Sequence, residues 1–398
     1  MRGGGQTRRS FIRRSGIATA GIGTLGLAGT ATAAGDLEAL ETNPWTGRRI
    51  LNIAHRGGAF EAPENTLFAF KRAFAIGAHA IEFDVWETRD GVPVVHHDET
   101  VDRQTNGSGS IEDYTLEELK QLDGAYWFAP DMGTCNPDDP DDRACPDDPD
   151  EGDFPYRGIA TGERDIPDEF GEEYGLTDLE PNDFRIPTVE EVLDAFPEEY
   201  LVIELKTDGF ESSIVSLLEA YGRSDDVIVA SFSQGPLSTV RDEAPDVPTS
   251  GSTWETGGFI LWSVSWFPTP DLWFEMLPLP YEYEGIPVFS EGVVDDARDA
   301  NLAAHAWTID ERSKMEEVVD AGVDGIYTDR PTVLADVLEE TGTGYDGEPD
   351  DGEDDGDQEG GSGPGFTLPV VGAAVGGAAL AKRLRSRSDS VGESEIDR

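Results

Sequence analysis

The chain carries five histidines, and two of them stand beside a second reactive side chain where an apolar run gives out. His55-Arg56 closes "ILNIAHR", and His97-Asp98 closes "VPVVHHD". Such a pair is either a polar surface turn or half of a reaction centre. Imidazole titrates near neutrality, so it is the side chain best suited to pass a proton in either direction. Between the two pairs lies "HAIEFDVW", where Glu82 and Asp84 are two residues apart. On a strand both would point the same way, while Ile81, Phe83 and Val85 point the other way. Two carboxylates turned into an interior cannot both stay ionised unless a cation sits between them. Glu204, flanked by Ile203 and Leu205 in "YLVIELK", repeats the pattern. Oxygen ligands without cysteine or paired histidine favour Mg²⁺ or Ca²⁺ over Zn²⁺.

Strands are needed to position these residues, and short β-rich runs do alternate with helical patterns. Candidate strands fall at 50–55, 79–86, 92–97, 200–206, 226–232, 245–250, 286–289, 303–309 and 323–329. One helical stretch begins at Thr66 and stops at Gly77, another begins at Thr188, and a third ends at Gly322, as capping chemistry predicts. Apolar strands separated by helices imply a parallel sheet covered on both faces. The expected closure is a TIM (β/α)8 barrel over 46–341, although nine candidates exceed the eight it needs. Its active site would gather where the polar residues fall, at the C-terminal ends of the strands.

The run "AHRGGAFEAPENTLFAFKRAFAIGAHAIEFDVWETRDGVPVVHHDETVDRQTNGSG" resembles the opening of the glycerophosphodiester phosphodiesterase family. "RIPTVEEVL", "LVIELK", "IVASFS", "AWTID" and "GVDGIYTDRP" match the same family in the same order. The resemblance implies a TIM barrel that hydrolyses one ester bond of a glycerophosphodiester, with one divalent cation and two histidines. By position it makes His55 and His97 the acid/base pair and Glu82, Asp84 and Glu204 the metal ligands. Arg56 matches an arginine that contacts phosphate, Lys206 a lysine near it, and Trp307 a tryptophan near the substrate glycerol. Core packing is the other reading of Trp307. His96 competes with His97, but strand alternation turns it to the opposite face. His79 and His305 are expected to be structural or to line a pocket rim. Glu64 and Asn65, in the family's "PEN", are expected to support the loop after the first strand. The chemistry suits a phosphodiester, whose negative charge repels nucleophiles. A cation and the planar fork of Arg56 would neutralise charge on the phosphoryl oxygens while the two histidines move protons.

The chain departs from the family between about 125 and 185, where an Asp-, Pro- and Gly-rich insertion follows the third strand. A connection of that length is expected to be functional, here as a lid or substrate-shaping segment anchored by Tyr126, Trp127 and Phe128. Cys135 and Cys145, the only cysteines, lie within it and are expected to form a local disulfide. The segment 258–283, rich in Trp, Phe, Leu and Pro, is either helix-layer core or an apolar rim.

The 398 residues hold 82 acidic side chains against 29 basic ones, a net charge of −53, and only five of the basic residues are lysines. No basic footprint exists for nucleic acid. Such acidity reads as adaptation to high salt, where counter-ions screen the self-repulsion. Residues 1–34 resemble a twin-arginine export signal, with Arg8-Arg9, Phe11, a Gly/Ala-rich run and an Ala31-Thr32-Ala33 cleavage site. At the other end, 342–364 is an acidic linker unable to bury apolar surface. The tail at 365–398 resembles a haloarchaeal sorting tail, with Pro364-Gly365-Phe366, an apolar run to Ala381 and a basic end. Either retained or processed, it would tether the body at the outer face of the membrane. Two other functions fit less of the pattern. One is a phospholipase of the same barrel acting on intact lipids, and the other is a surface-anchored binding module without catalysis.

Overall fold

The computed structural model describes residues 43, 45, 46, 49–130, 132–134, 154–265, 272–283 and 286–344. The export signal, the Cys135–Cys145 pair, the linker beyond Gly344 and the C-terminal tail lie outside the described residues. Strand β1 (Leu51–His55) leads through helix α1 (Leu67–Ala75) to β2 (Ala80–Glu87) and β3 (Pro93–Val95). The short α2 (Leu116–Leu119), β4 (Phe128–Ala129), β5 (Gly133–Thr134) and α3 (Asp168–Tyr174) follow. Next come α4 (Val189–Ala195), β6 (Tyr200–Leu205), α5 (Glu211–Tyr221), β7 (Val227–Ala230), α6 (Gln234–Glu243) and α7 (Thr253–Ser263). The chain ends through β8 (Met276–Pro280), β9 (Glu282–Tyr283), β10 (Ile286–Pro287), α8 (Glu291–Asp299), β11 (Ala303–Trp307), α9 (Arg312–Asp320), β12 (Gly325–Thr328) and α10 (Pro331–Thr341).

Seven parallel strands run in the order β7-β6-β2-β1-β12-β11-β8. Two isolated parallel bridges, Val229 with Thr249 and Ser250 with Met276, carry the ring from β7 to β8 through the 249–250 segment. The fold is a TIM barrel with eight staves, one of them two residues long. Nine sequence candidates reduce to eight for three reasons. β3 pairs antiparallel with β2 and lies outside the ring, so the long insertion follows a hairpin rather than a stave. The 286–289 candidate is half of a small antiparallel hairpin with β9. The missing stave is β8, within the segment read from sequence as helix layer or rim.

Alternation sorts the side chains as strand geometry requires. Leu51, Ile53, Ala80, Val202, Ile228, Met276, Ala303 and Tyr327 form the lumen core, and Trp45 joins it from the N-terminal side. Ala54, Ile81, Phe83, Val85, Ile203 and Val229 point outward into the helix layer, with Phe68, Phe70 and Leu193. Fully burying each such side chain stabilises the fold by ~1.5–3 kcal/mol. The packed unit reaches slightly beyond 46–341. Asn43 donates from Nδ2 to the Glu275 carbonyl at 2.7 Å, and the Ile50 amide donates to Thr343 at 2.8 Å.

The helices begin where capping chemistry is strongest. Thr66 accepts from the Ala69 amide, and Thr188 and Glu191 form a reciprocal capping box. The described part of the insertion packs beside the barrel: Tyr156, Phe170 and Phe184 stack around Phe68 of α1. Trp127, Tyr126 and Phe154 surround the Arg157 guanidinium at 4.1–4.6 Å from their ring centres. Of the 125–185 insertion expected to form a lid, residues 131 and 135–153 lie outside the described residues.

Candidate active site

β1 ends in a turn with three successive left-handed residues, Arg56 (φ 54°), Gly57 (φ 83°) and Gly58 (φ 94°). A side chain at Gly57 would meet Ala69 Cβ at 2.7 Å, and one at Gly58 would meet Pro331 at 2.8 Å. Both glycines therefore let the turn pack against α1 and α10. Arg56 has no such freedom, and a non-glycine residue held left-handed is strained. The turn aims the Arg56 amide at Glu82 Oε2, 3.1 Å away.

His55, on β1, lies in register with Glu82 of β2, and Asp84 lies in register with Glu204 of β6. All four therefore face the lumen, one layer above its apolar core. Carboxylate oxygens of Glu82, Asp84 and Glu204, one from each, lie within 4.8 Å of one another. Glu82 is pushed up to about 8 by burial first and by Asp84 second. Burial would raise Asp84 as well, but Lys206 and Arg56 hold it well below the usual carboxylate range. Lys206 Nζ donates to Glu204 at 2.9 Å and to Asp84 at 3.1 Å, so this lysine bridges two of the three carboxylates.

His55 Nδ1 donates to Asp329 Oδ1 at 2.7 Å, and its Nε2 lies 3.9 Å from Glu82. Burial is the largest influence and opposes the imidazolium, yet Asp329 and Glu82 together raise His55 to about 9. His97 is placed by the hairpin, because the preceding His96 amide donates to the Asp84 carbonyl at 2.9 Å. His97 Nδ1 donates to Asp98 Oδ1 at 2.6 Å. His96 is wholly buried, donates from Nε2 to the Thr100 carbonyl, and is pushed down by burial. It belongs to the packing around the hairpin.

Behind these residues stands a framework of alternating charge. Glu64 is buried and accepts from Arg56 at 3.3 Å and from Arg103 at 2.5 and 3.1 Å. Burial would raise this carboxyl, but Arg103 and Arg56 carry it far below its ordinary range. Arg103 also donates from Nε to Asp98 at 2.6 Å, which ties the His97 partner to the Arg56 partner. Asn65 donates from Nδ2 to Asp84 at 3.0 Å. Glu64 and Asn65 thus support the site as their position in the loop suggested. Trp307, at the end of β11, packs edge-on against Phe232 with ring centres 5.4 Å apart. His79 accepts the Asn52 amide on Nδ1 at the opposite end of the barrel, and His305 is buried in the lumen.

The three carboxylates fit a divalent cation. They supply only oxygen donors, one of them is driven toward neutrality without a counter-charge, and a buried polar atom faces them. The Tyr327 hydroxyl is fully enclosed without a hydrogen-bond partner and feels the charges of Glu82 and Glu204. Sequence reasoning missed Asp329, Arg103 and Tyr327. Asp329 and Tyr327 stood in "GIYTD" at a strand end, which was a usable signal. Arg103 lies in a loop with no periodic pattern to mark it.

The sequence signature of the glycerophosphoryl diester phosphodiesterase family matches residues 55–333. The chain belongs to this family. A glycerophosphodiester phosphodiesterase of Caldanaerobacter subterraneus subsp. tengcongensis is 33% identical over 302 residues, covering 74% of this chain and all of the relative. One from Bacillus subtilis is 28% identical over 311 residues, covering 75% of this chain and 88% of its own. Among solved structures, the glycerophosphoryl diester phosphodiesterase domain of a Mycobacterium tuberculosis protein superposes with a TM-score of 0.54. It is 18% identical and covers 73% of this chain and 99% of its own, a likeness of fold.

Proposed function

We propose that the chain hydrolyses glycerophosphodiesters to glycerol phosphate and an alcohol by paired histidine acid–base catalysis. The observation that carries this is the symmetry of the two imidazoles. Each donates from Nδ1 to an aspartate, His55 to Asp329 and His97 to Asp98, which fixes the tautomer and leaves Nε2 for the substrate. Both act within the field of Asp84. One histidine takes the proton of the attacking hydroxyl or water, and the other protonates the departing alkoxide. Arg56, steadied by Glu64 and Asp84, offers its guanidinium to the phosphoryl oxygens. Glu82, Asp84 and Glu204 would hold one Mg²⁺ or Ca²⁺, which supplies charge neutralisation at the phosphoryl group when bound. Lys206 bridges two of these ligands and holds them in place, and Trp307 lines the mouth beside Phe232.

The same proposal extends to address. The arginine pair and cleavage site at the N-terminus support export by the twin-arginine route. The apolar run and basic end at the C-terminus support a membrane tether on the outer face. A second reading, cleavage of intact lipid, is favoured by one feature: Phe232, half exposed beside Trp307 at the mouth. A panel of glycerophosphocholine, intact phosphatidylcholine and EDTA controls at high salt separates the two. Release of glycerol phosphate from the soluble diester, abolished by His55→Ala, supports the proposal. Turnover of intact lipid alone overturns it.

A further inference from the structure

Five large apolar side chains are prominently exposed among the described residues: Phe232, Trp254, Leu261, Val264 and Trp273. They are not scattered. All belong to one stretch of chain, from the loop after β7 through α7 to the approach to β8. The outward stripe of α7 runs Trp254, Gly258, Leu261 and ends at Val264, the most exposed of the five at 59%. These positions recur at helical spacing on one face. The one ionisable side chain of that helix, Glu255, turns away to Arg241, with Nη1 and Oε1 2.6 Å apart, and caps Ser252. Nothing charged therefore stands on the outer face of α7. In a chain of net charge −53 that is a marked local departure, since α8 turns Glu291, Asp295, Arg298 and Asp299 outward.

The face also has a direction. The Thr253 amide at the start of α7 donates to the Phe232 carbonyl at 3.0 Å, and the Phe232 ring rests on Trp307. The apolar stripe of α7 thus starts beside the mouth of the barrel, where Phe232 and Trp307 stand. The chain beyond Gly344 holds a second apolar run, Phe366 to Ala381, followed by Lys382, Arg383, Arg385 and Arg387. About 20 residues separate the two, and that length spans no more than ~75 Å fully extended. Whatever holds the run therefore keeps α7 nearby.

We propose that the outer face of α7, with Trp273 and Phe232, is a docking surface for a lipid membrane. It lays the flank of the barrel on the bilayer and brings the mouth to the interface. An uncharged stripe with tryptophans at its edge fits the boundary between headgroups and acyl chains, where amphipathic aromatic rings settle. An acidic body is repelled by anionic lipid, so contact through this face depends on apolar burial and survives at high salt, where Coulomb terms are screened.

Tryptophan quenching by brominated lipid tests this directly. The apolar run near the C-terminus contains no tryptophan, so quenching reports contact made by the body of the protein. The full chain is mixed at high salt with vesicles of phosphatidylcholine brominated in the acyl chains. Its fluorescence should fall, and Trp254→Phe with Trp273→Phe should lose most of that quenching. Leu261→Ser with Val264→Ser should weaken the contact roughly tenfold, as expected from losing burial of two apolar side chains. Glycerophosphocholine hydrolysis in solution should be unchanged in both variants. That control also separates failure here from failure of the proposed activity. Co-flotation with vesicles but no quenching would overturn the proposal, because the tail alone would then hold the protein. Quenching that survives the double tryptophan substitution would overturn it too, as would a stable dimer that hides the patch.

Discussion

At the scale of single residues, Asp329 is the side chain on which His55 depends. It accepts the Nδ1 hydrogen bond and, with Glu82, offsets the cost of burying the charged ring. Asp329→Asn keeps the volume but reverses the hydrogen-bond preference, so the imidazole would present the wrong tautomer. The expected outcome is a fall in kcat of ~10²-fold or more in protein that circular dichroism shows to be folded, read by glycerol phosphate release. His55, Arg56, Glu82, Asp84, His97 and Glu204 were legible in the sequence because each stands within or at the end of an apolar run. Asp329 was hidden, since one acidic residue among 82 carries almost no information until a partner is seen. His305 makes a prediction of another kind. Burial drives its pKa down to about 3. The unfolded chain therefore binds a proton near pH 6.5 that the folded chain refuses until about 3. Stability is complete above the unfolded value and is lost as pH falls below it, by about 2 kcal/mol at pH 5. His305→Leu should lose correspondingly less between pH 7.5 and 5, measured as the shift in urea midpoint against the parent.

Among the elements, two features escaped the sequence for reasons that are physical. β8 reads "MLPLP", and proline removes a ladder donor, so the segment does not look like a central strand. The barrel accommodates it because the 249–250 stave bridges β8 only at Met276. Beyond that residue one side of β8 has no strand neighbour among the described residues whose hydrogen bonds Pro278 and Pro280 would break, while the other side pairs with β11. β3 was the reverse case. Its apolar run does form a strand, but it folds back antiparallel on β2 and leads to His97 from outside the ring. The glycines after His55 let the turn pack closely against α1 and α10. Gly57→Ala should therefore destabilise the fold by roughly 2–4 kcal/mol through both its left-handed φ and its clash with Ala69. A chemical denaturation midpoint checks it, and a neutral result would mean the turn relaxes freely.

For the molecule as a whole, the barrel brings residues from 55 to 329 into one field in which positive and negative side chains alternate. Arg103 and Arg56 share Glu64, Arg56 and Lys206 share Asp84, and the two histidines close the set through Asp329 and Asp98. At the centre of the carboxylate cluster, burial and Asp84 push Glu82 up, which a bound cation would relieve. The decisive measurement is turnover of glycerophosphocholine at high salt by enzyme stripped with EDTA, dialysed, and titrated with Mg²⁺ or Ca²⁺. Activity should vanish on stripping and return with one ion bound per chain, while Asp84→Asn and Glu204→Gln remain inactive at any ion concentration. Full turnover by the stripped enzyme, or by either carboxamide variant, would contradict a cation held by Glu82, Asp84 and Glu204.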